Sequence, residues 1–528
     1  MSSLSSLPAI TAYARAGALD HAWSCFVAAG YDRVDDEPAA LTVKGRLLKD
    51  RARRAEGVER RRLLGEASAA YARAAALGDA SYPLINAATL ALLGGDAAGS
   101  VVLAERVLAR IAAHPDEPET PYYRAATRAE ALLLLGRDGE AQAALSEAIA
   151  IAPRAWEDHA STLHQFAAII AARGGDAAWL APLGPPRSLH FAGHMSFRAD
   201  ADYAALVTRL AEILSTERIG FGFGAAAAGA DILIAEALLA RDAELHLVLP
   251  GGVAAFAAIS VDPFGDAWRR RFDAVVARAT TVRAVAPPGM LPDQAMIDLA
   301  DEVAMGAARS HAARLASEAV QLLVLPDTAG ESDGRARRLW VDAGGRQHLV
   351  TAPRDDIDGN EVTAGLAAST SVAVLAIRIA TPAGDPAIDL TWVKALLDRA
   401  PPPLAAPVFT GEAVIVGYGD LAAAATVAAA LIASPATVVA VGGHYGLATL
   451  IADPFSGGAR VGGAVLAVAQ AAAVSALPRS ICVSGDFADA LAIACPDRFR
   501  DAAIGELGDS AGAEPITLHA LELVSVSA

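Results

Sequence analysis

An apolar strand, a glycine-rich turn, a helix and a second strand follow one another in RIGFGFGAAAAGADILIAEALLARDAELHLVLP, residues 218–250. Two strands joined through a helix form the repeating unit of parallel α/β sheets, and this connection leaves few other topologies open. Further strand patterns at SLHFAGH, 282–285 and 320–325, with a helical pattern over 300–316, continue the alternation. The middle of the chain is therefore predicted to be an α/β domain with a parallel sheet.

The turn between the first strand and the helix carries Gly222, Gly224 and Gly229. Glycine lets a backbone approach a ligand closely, and the N–H groups at a helix start attract an anion. The alanines at 225–228 are small enough to leave that approach open. Glycine also permits close packing of a helix on a sheet, so packing alone remains the alternative.

The segment over residues 1–182 has a helical pattern broken by short glycine and proline turns. The run LLLLGRDGEAQAALSEAIAIAP, for example, places small residues where two helices must approach each other. This segment resembles tetratricopeptide repeats, and SYPLINAATLALLGGD is similar to the core of the TRAFs-binding helical region. The resemblance implies a protein partner, and a plain helical bundle is the alternative.

Residues 186–355 resemble the SLOG superfamily of Rossmann-like domains, through FAGHMSF at 191–197, the glycine turn with its helix, and SVDPF…WRRRF. The resemblance implies a nucleotide, a nucleotide sugar or an ADP-ribose-type ligand, and in some members hydrolysis of a ribosyl bond. By position, the turn over 222–229 holds the phosphates. Ribose or acid–base roles fall to Asp231 and Glu236, and the mouth of the site is lined by Gly193 and His194.

Two observations weigh against hydrolysis and against a metal. The phosphoribohydrolase pattern PGGxGTxxE is absent, because Pro250, Gly251 and Gly252 are followed by VAAF. His194 has no acidic or thiol residue nearby in sequence that would complete a metal site. For Asp231 and Glu236, a charge at a helix start or an ordinary rim residue is the alternative interpretation.

The last segment, 366–528, alternates apolar strands such as SVAVLAIRIA and GEAVIVGYGD with Ala-rich helices. This pattern predicts an α+β domain with a layered antiparallel sheet. The segment resembles the class III adenylate/guanylate cyclase homology domain, most clearly over 453–491, then at ELG (506–508) and PITLHAL (515–521). The resemblance implies pairing of two such domains.

The cyclase reaction needs two aspartates on two Mg²⁺ ions and polar groups on the pentavalent phosphate. The first aspartate position falls at Ile377 and Arg378, and the second lies in the stretch 408–412, which contains only Glu412 as an acid. The remaining catalytic positions hold apolar or neutral residues. Val408 stands in place of the lysine that selects the purine, and Leu466 and Gln470 stand in place of the asparagine and arginine that stabilise the transition state. The domain is predicted not to cyclise nucleotides and to hold no metal.

Composition excludes several classes of partner. The 528 residues include 43 Lys and Arg against 60 Asp and Glu, a net charge of −17, which disfavours nucleic acid. The uncharged stretch 421–443 contains Pro435 and is better explained by a helix and a strand than by a membrane span. Three cysteines without metal spacing, and no secretion signal in MSSLSSLPAI, predict a cytoplasmic protein.

Three functions follow from these patterns. The first is a non-cyclising sensor that binds a nucleotide-derived ligand in the middle domain, a protein partner through the helices, and a second copy through the cyclase-like domain. The second is a hydrolase of a nucleotide or NAD-type N-glycosidic bond. The third is a purely structural protein, in which the glycine turn serves packing alone. The union of helical repeats with a SLOG-type domain is similar in architecture to bacterial defence effectors, which is analogy only.

Overall fold

The computed structural model describes residues 6–15, 18–78, 80–115, 120–195, 197, 203–287, 289–327, 334–353, 369–379, 386–454, 457–508 and 515–524. The chain divides into two compact units. The first comprises Met1–Pro185 with Arg314–Ala316, and the second comprises Pro186–Ala313 with Ser317–Ala528.

The first unit is built from helices, as the sequence predicts. Neighbouring helices pack in pairs, and Gly45 shows how closely: a Cβ there would lie 2.6 Å from the Tyr71 ring. The described helices are α1 (Leu7–Arg15), α2 (Leu19–Ala28), α3 (Pro38–Arg53), α4 (Gly57–Leu77), α5 (Ser81–Gly94), α6 (Ala97–Ala113), α7 (Pro121–Leu134), α8 (Asp138–Ile151) and α9 (Trp156–Ala172), with short 3₁₀ turns at Tyr31–Arg33 and Ala178–Leu183.

Helix starts in this unit follow ordinary capping chemistry. The Asp96 side chain accepts the N–H of Gly99 at the start of α6, and Thr120 accepts the N–H of Tyr123 at the start of α7. These bonds satisfy backbone donors that have no partner within the helix.

The second unit begins with a sheet of six parallel strands in the order β4-β3-β2-β1-β5-β6. The parallel sheet predicted for the middle of the chain is confirmed. Its elements are β1 (Arg187–Gly193), α10 (Ala204–Thr216), β2 (Ile219–Gly224), α11 (Ala230–Leu239), β3 (Glu244–Leu249), α12 (Val253–Ser260), α13 (Asp266–Arg278), β4 (Thr281–Ala284), α14 (Gln294–Arg314), β5 (Ala319–Pro326), α15 (Arg335–Asp342) and β6 (Arg346–Ala352), with a 3₁₀ turn at Asp262–Phe264.

The two faces of this parallel sheet are covered by different helices. Leu189 and Phe191 of β1 belong to the core that contains α10, α11 and α13. The alternate residue His190 stacks on Trp340 of α15 and contacts Gln321, whose amide also reaches Met305 of α14. Side chains on a strand alternate between faces, so β1 is buried on both sides, as a parallel strand requires.

The second sheet is mixed, in the order β13-β14-β12-β10-β7-β9-β8, with β11 paired to β10. Its elements are β7 (Ser369–Ile379), α16 (Pro386–Leu397), β8 (Val408–Phe409), β9 (Ala413–Tyr418), α17 (Leu421–Ala433), β10 (Val439–Ala452), β11 (Ala459–Gly462), α18 (Val465–Ser475), β12 (Ile481–Ser484), α19 (Gly485–Ala494), β13 (Phe499–Leu507) and β14 (Ile516–Leu523). The expectation of an antiparallel sheet needs one correction, because β10 and β12 pair in parallel. Strands β10 and β12 are joined through α18, and such a crossover returns the chain in the same direction.

Helix α14 belongs to both layers of the second unit. Its residues Leu299, Ala300 and Val303 share one apolar cluster with α17, α19 and strands β7 and β10. At Gly306, a Cβ would lie 1.6 Å from the carbonyl oxygen of Asp489 in α19. Both sheets lie in one compact unit, so the division into domains 186–355 and 366–528 stays a prediction.

Within the described residues, no helix is both long enough and apolar enough to cross a bilayer. The stretch 421–443 forms helix α17 and the start of strand β10, as the sequence predicts.

Candidate functional site

The order of the parallel strands places a crevice between β1 and β5. Helical connections run to β2 on one side of β1 and return to β5 on its other side, so the strand order reverses at this point. Open α/β sheets bind ligands outside the carboxyl ends of their strands at such a reversal. The predicted site residues at Gly193, His194 and Gly229 lie around this edge, because α11 begins directly above the end of β1.

Contacts of Gly193 and Gly229 show that α11 approaches the sheet edge very closely. A Cβ at Gly193 would lie 2.4 Å from the Cβ of Ala230, and one at Gly229 would lie 2.7 Å from the Phe197 ring. Gly229 also has φ +117°, a conformation that other residues rarely adopt. These two glycines are therefore required by the turn and by the close approach of α11 to β1.

Gly222 and Gly224 lie within β2 itself, before the turn. A Cβ at Gly222 would meet Leu238 of α11 at 2.4 Å, and one at Gly224 would meet the carbonyl oxygen of Phe191 at 2.4 Å. These contacts favour the packing alternative for Gly222 and Gly224, because the protein's own groups fill the space that a side chain would take.

Asp231 sits in the first turn of α11 with 5% of its surface exposed. Its Oδ2 accepts the N–H of Ala227 at 3.2 Å and the backbone N–H of Gly193 lies nearby, while Oδ1 is buried and has no hydrogen-bond partner among the described residues. Burial, and then the charge of Asp301, raise its pKa to about 7, although the two backbone donors oppose this. The anion held by this turn is thus the chain's own carboxylate.

Asp301 of α14 is the second carboxyl group at this place, and sequence reasoning missed it. Burial raises its pKa to about 7, with further contributions from Asp298 and Glu302. The available signal was the acidic run DLADE in a helix that otherwise carries mostly apolar and small residues. Charged side chains on a helix buried on most sides are rarely there for packing.

Glu236 does not belong to this group. It follows Asp231 by five residues, about 500° or 140° net around the helix, and therefore points elsewhere. Its two carboxylate oxygens accept Arg271 Nε at 2.8 Å and Nη2 at 2.5 Å. Glu236 thus forms an ion pair between α11 and α13, and its expected ribose or acid–base role stays a prediction.

His194 follows β1 and stacks on Phe197, with ring centroids 4.5 Å apart and planes 16° apart. Its carbonyl oxygen accepts the N–H of Ala230 at 3.4 Å, and its N–H donates to Val324 of β5 at 3.3 Å. The residue thus joins β1, β5 and α11 at the edge of the crevice. Among the described residues, no three His, Cys, Asp or Glu side chains form a group that would hold a metal.

The positions that a cyclase would need for chemistry have structural contacts instead. Ile377 is buried with 1% exposure, and Arg378 Nη1 donates to the carbonyl oxygen of Ala473 at 2.8 Å near the end of α18. Leu466 packs at the margin of an apolar cluster, while Glu412 is exposed in the turn between β8 and β9. Val408 lies in the two-residue strand β8, and Gln470 is half-buried on α18.

No family model matches the chain, and no curated protein matches it. Solved structures similar to it include the adenylyl cyclase CyaB from P. aeruginosa, at 12% identity over 30% of this chain and 96% of that chain, with a TM-score of 0.25. The guanylate cyclase domain of RhGC from Catenaria anguillulae in complex with GTP has 13% identity over 29% and 97%, with a TM-score of 0.24. A dimeric guanylyl cyclase domain of the RhoGC fusion protein from Blastocladiella emersonii has 14% identity over 30% and 99%, with a TM-score of 0.24.

Over about 30% of the chain, the fold is thus similar to solved class III cyclase domains, as the sequence resemblance implied. This likeness concerns the fold alone, and at these TM-scores nothing further rests on it. The helical-repeat and SLOG resemblances stay predictions.

Proposed function

We propose that this protein is a non-cyclising sensor whose second unit binds a nucleotide-derived ligand, such as an ADP-ribose-type molecule, at the β1–β5 edge. The first unit binds a protein partner, and the mixed-sheet layer pairs with a second copy. The observation that carries the ligand proposal is the buried carboxyl group of Asp231, whose Oδ1 has no hydrogen-bond partner among the described residues, with the half-buried Asp301 close enough for its charge to act on it, at the reversal of a parallel sheet.

The chemistry of this pair favours sugar hydroxyls over phosphate. The backbone N–H of Ala227, which would otherwise attract a phosphate, already donates to Asp231. A second negative charge in the same turn would meet repulsion from both carboxylates. Ribose hydroxyls donate hydrogen bonds to carboxylates, so the ribose faces Asp231 and Asp301 and the phosphates lie further out.

The absence of cyclisation is supported by the contacts of the residues that stand at the positions which the cyclase resemblance assigns to catalysis. Arg378 is engaged by the end of α18, and Ile377 is part of the apolar core between the mixed sheet and α14. Neither side chain can hold Mg²⁺, and Glu412 alone supplies one ligand. Incubation with ATP or GTP and Mg²⁺ or Mn²⁺ is expected to give no cyclic product.

Self-association is supported by apolar side chains left exposed on the mixed-sheet layer. The stretch 462–476, which contains helix α18, carries no charge, and the buried face of α18 packs on its own sheet through residues such as Val465 and Ala469. Outside that face, Val474 is 66% exposed and Ile451 of β10 is 51% exposed. Light scattering at micromolar concentration is expected to give a mass well above 53.8 kDa.

Calorimetry with ADP-ribose, its 2′-deoxy and 3′-deoxy ribose analogues, NAD and simple nucleotides tests the ligand proposal. Asp231→Asn and Asp301→Asn are expected to weaken binding roughly tenfold or more, because each removes a charged acceptor. The matched control is Glu236→Gln, which lies on the same helix as Asp231 but pairs with Arg271. Equal affinity for the deoxy analogues, or no saturable heat with any of these compounds at millimolar concentration, would contradict the proposal.

The second candidate function is hydrolysis of an N-glycosidic bond, and one observation favours it. The charge of Asp301 raises the pKa of Asp231, so the two carboxyl groups lie close enough for one to stay protonated while the other is ionised. Paired carboxyl groups with this property serve as general acid and base in glycosyl transfer to water. Chromatography of NAD or ADP-ribose after incubation decides between the two: nicotinamide and ADP-ribose formed from NAD, or adenine released from ADP-ribose, in proportion to protein favours the hydrolase.

A further inference from the structure

Helix α14 carries three carboxyl groups close together in the run DLADE, residues 298–302. Asp298 and Asp301 are half-buried, and Glu302 is buried with 7% of its surface exposed. A carboxylate as deeply buried as Glu302 is costly unless hydrogen bonds and a cation compensate for the lost water.

The two oxygens of Glu302 are held by two different elements. Oε2 accepts the hydroxyl of Tyr445 in β10 at 2.7 Å. Oε1 accepts Nε of Arg335 in α15 at 2.9 Å, and Nη2 of the same side chain also donates to it. Glu302 is therefore fixed in place and orients the guanidinium group of Arg335.

Arg335 uses only one side of its guanidinium group in this ion pair. Its Nε and Nη2 face Glu302, whereas Nη1 donates no hydrogen bond among the described residues. The side chain of Arg335 is 55% exposed, and that of Glu302 is 9% exposed. A planar guanidinium group with open N–H donors matches the oxygens of a phosphate. Because Glu302 already orders the side chain, a phosphate would bind without that entropic cost.

The position of Arg335 in the fold brings it to the carboxyl edge of the parallel sheet. Arg335 is the first residue of α15, the helix between β5 and β6. A helix that connects two parallel strands begins at the edge where the first strand ends. Strand β5 borders the reversal of strand order, so α15 begins on the side of the sheet where open α/β sheets bind ligands.

Asp298 links Arg335 electrostatically to the carboxyl groups of the crevice. The pKa of Arg335 is raised by its hydrogen bond to Glu302 first and, among smaller contributions, by the charge of Asp298. The pKa of Asp301 is raised by burial first and then by the charge of Asp298. Asp298 is therefore within electrostatic reach of both Arg335 and Asp301, and Asp301 acts in turn on Asp231.

We propose that Arg335 binds the phosphate groups of the nucleotide-derived ligand and that Glu302, itself held by Tyr445, is its positioning residue. In the glycine turn, the N–H of Ala227 already donates to Asp231, so the phosphates need another donor. The charge of Arg335 offsets the repulsion that the nearby carboxylates exert on them. The inference rests on the proposed ligand binding and names the residue that receives the phosphate end.

Calorimetry of the full chain with ADP-ribose tests this inference. Arg335→Met is expected to lower the affinity roughly tenfold or more, because the phosphates lose a charged donor. The affinity is also expected to depend less on salt, since one ionic contact is gone. The matched control is Arg337→Met, which removes the same charge from the same helix, about 200° away around its axis.

A double variant shows whether any loss comes from unfolding. Arg335→Met alone leaves the buried carboxylate of Glu302 without its cation, whereas adding Glu302→Gln removes both charges. Replacing a buried ion pair by uncharged groups is often neutral for stability. The double variant is expected to unfold near the temperature of the wild type and to bind ADP-ribose roughly tenfold or more weakly.

Two substitutions of Glu302 test its positioning role. Glu302→Gln keeps a side-chain oxygen for Arg335, whereas Glu302→Ala removes the anchor. The affinity for ADP-ribose is expected to fall roughly tenfold in Glu302→Ala and to be largely retained in Glu302→Gln. Thermal unfolding verifies that both variants are folded at the temperature of the titration. Wild-type affinity in folded Glu302→Ala would refute the positioning role.

The remaining outcomes separate this inference from the proposed function. Unchanged ADP-ribose affinity in Arg335→Met and in the double variant, while Asp231→Asn still weakens binding, overturns the phosphate site alone. Equal losses in Arg335→Met and Arg337→Met overturn it too, because they report only the net charge of the protein. A wild-type protein that gives no saturable heat overturns both the inference and the proposed ligand binding.

Discussion

At the scale of single residues, Asp231 and Asp301 make the stability of the second unit depend on pH. Both carboxyl groups have a folded pKa of about 7, well above the usual value for aspartate. A group with a raised folded pKa binds a proton in the folded state between its unfolded and folded values. Its contribution to stability is therefore most favourable below the unfolded pKa and is lost as pH rises through about 7.

Asp231→Asn and Asp301→Asn are expected to make the second unit more stable at pH 8 than the wild type, by about 1–3 kcal/mol each. The difference from the wild type should shrink as pH falls toward 4, because the aspartates then become neutral as well. Chemical denaturation at a series of pH values measures this. Variants that are less stable than the wild type at pH 8 would show that the ionised carboxylates hold the fold together.

Sequence reasoning located one of these two residues and missed the other. Asp231 follows the glycine turn within nine residues of Gly222, so local order along the chain identifies it. Asp301 lies 70 positions later, and only the pairing of β1 with β5 brings α14 to the same edge. Glu236 was selected by its sequence distance from Asp231, but its angle around the helix directs it to Arg271.

At the scale of elements, helix α14 determines how the second unit is assembled. Its buried residues include Met296, Leu299, Val303, Met305 and Ala308, which cover most sides of the helix. Such a helix is expected to lie between two layers rather than on a surface. Strand and helix positions were predictable from local pattern, for example β4 at Thr281–Ala284 against the expected 282–285. The parallel pairing of β10 with β12 was not predictable from local pattern, because it depends on contacts between residues that are far apart in sequence.

The Tyr445–Glu302 hydrogen bond joins α14 to the mixed sheet. The Tyr445 hydroxyl of β10 donates to Glu302 Oε2 at 2.7 Å, and Glu302 is buried and also paired with Arg335. Tyr418 of β9 offers a matched comparison, because Tyr445 and Tyr418 flank the same residue, Ala373 of β7, in register. The Tyr418 hydroxyl is buried and has no hydrogen-bond partner among the described residues.

Tyr445→Phe is expected to destabilise the second unit by about 1.5–3 kcal/mol, because a buried carboxylate loses one of its donors. Tyr418→Phe removes a hydroxyl without a described partner and is expected to be neutral or slightly stabilising. Urea denaturation of the two variants gives the free energies of unfolding. Equal effects of the two substitutions would mean that the Tyr445–Glu302 bond adds nothing to the packing of α14.

At the scale of the whole molecule, the second unit has one shared core between its two sheets. Val248 of β3 and Leu299 of α14 lie in the same apolar cluster as Leu375, Val483 and Phe487 of the mixed-sheet layer. Arg283 of β4 reaches the same layer, with Nη2 donating to Asp489 at 2.8 Å and Nη1 lying 3.3 Å from Asp486. Removing residues 186–355 would therefore expose apolar surface on the mixed sheet that α14 now covers.

We expect a fragment of residues 186–528 to unfold in a single cooperative transition and a fragment of residues 366–528 to fail to fold stably. The second fragment lacks α14, and Phe487 and Leu491 of α19 would lose part of the core that buries them. Exposing the apolar surface of these residues costs about 25 cal/mol of stability for each Å². Since the net stability of a folded domain is small, the fragment has no other contacts that would offset this loss. Near-ultraviolet circular dichroism and thermal unfolding distinguish the two fragments. A sharp transition of the 366–528 fragment at the temperature of the longer one would show instead that the two sheets fold independently.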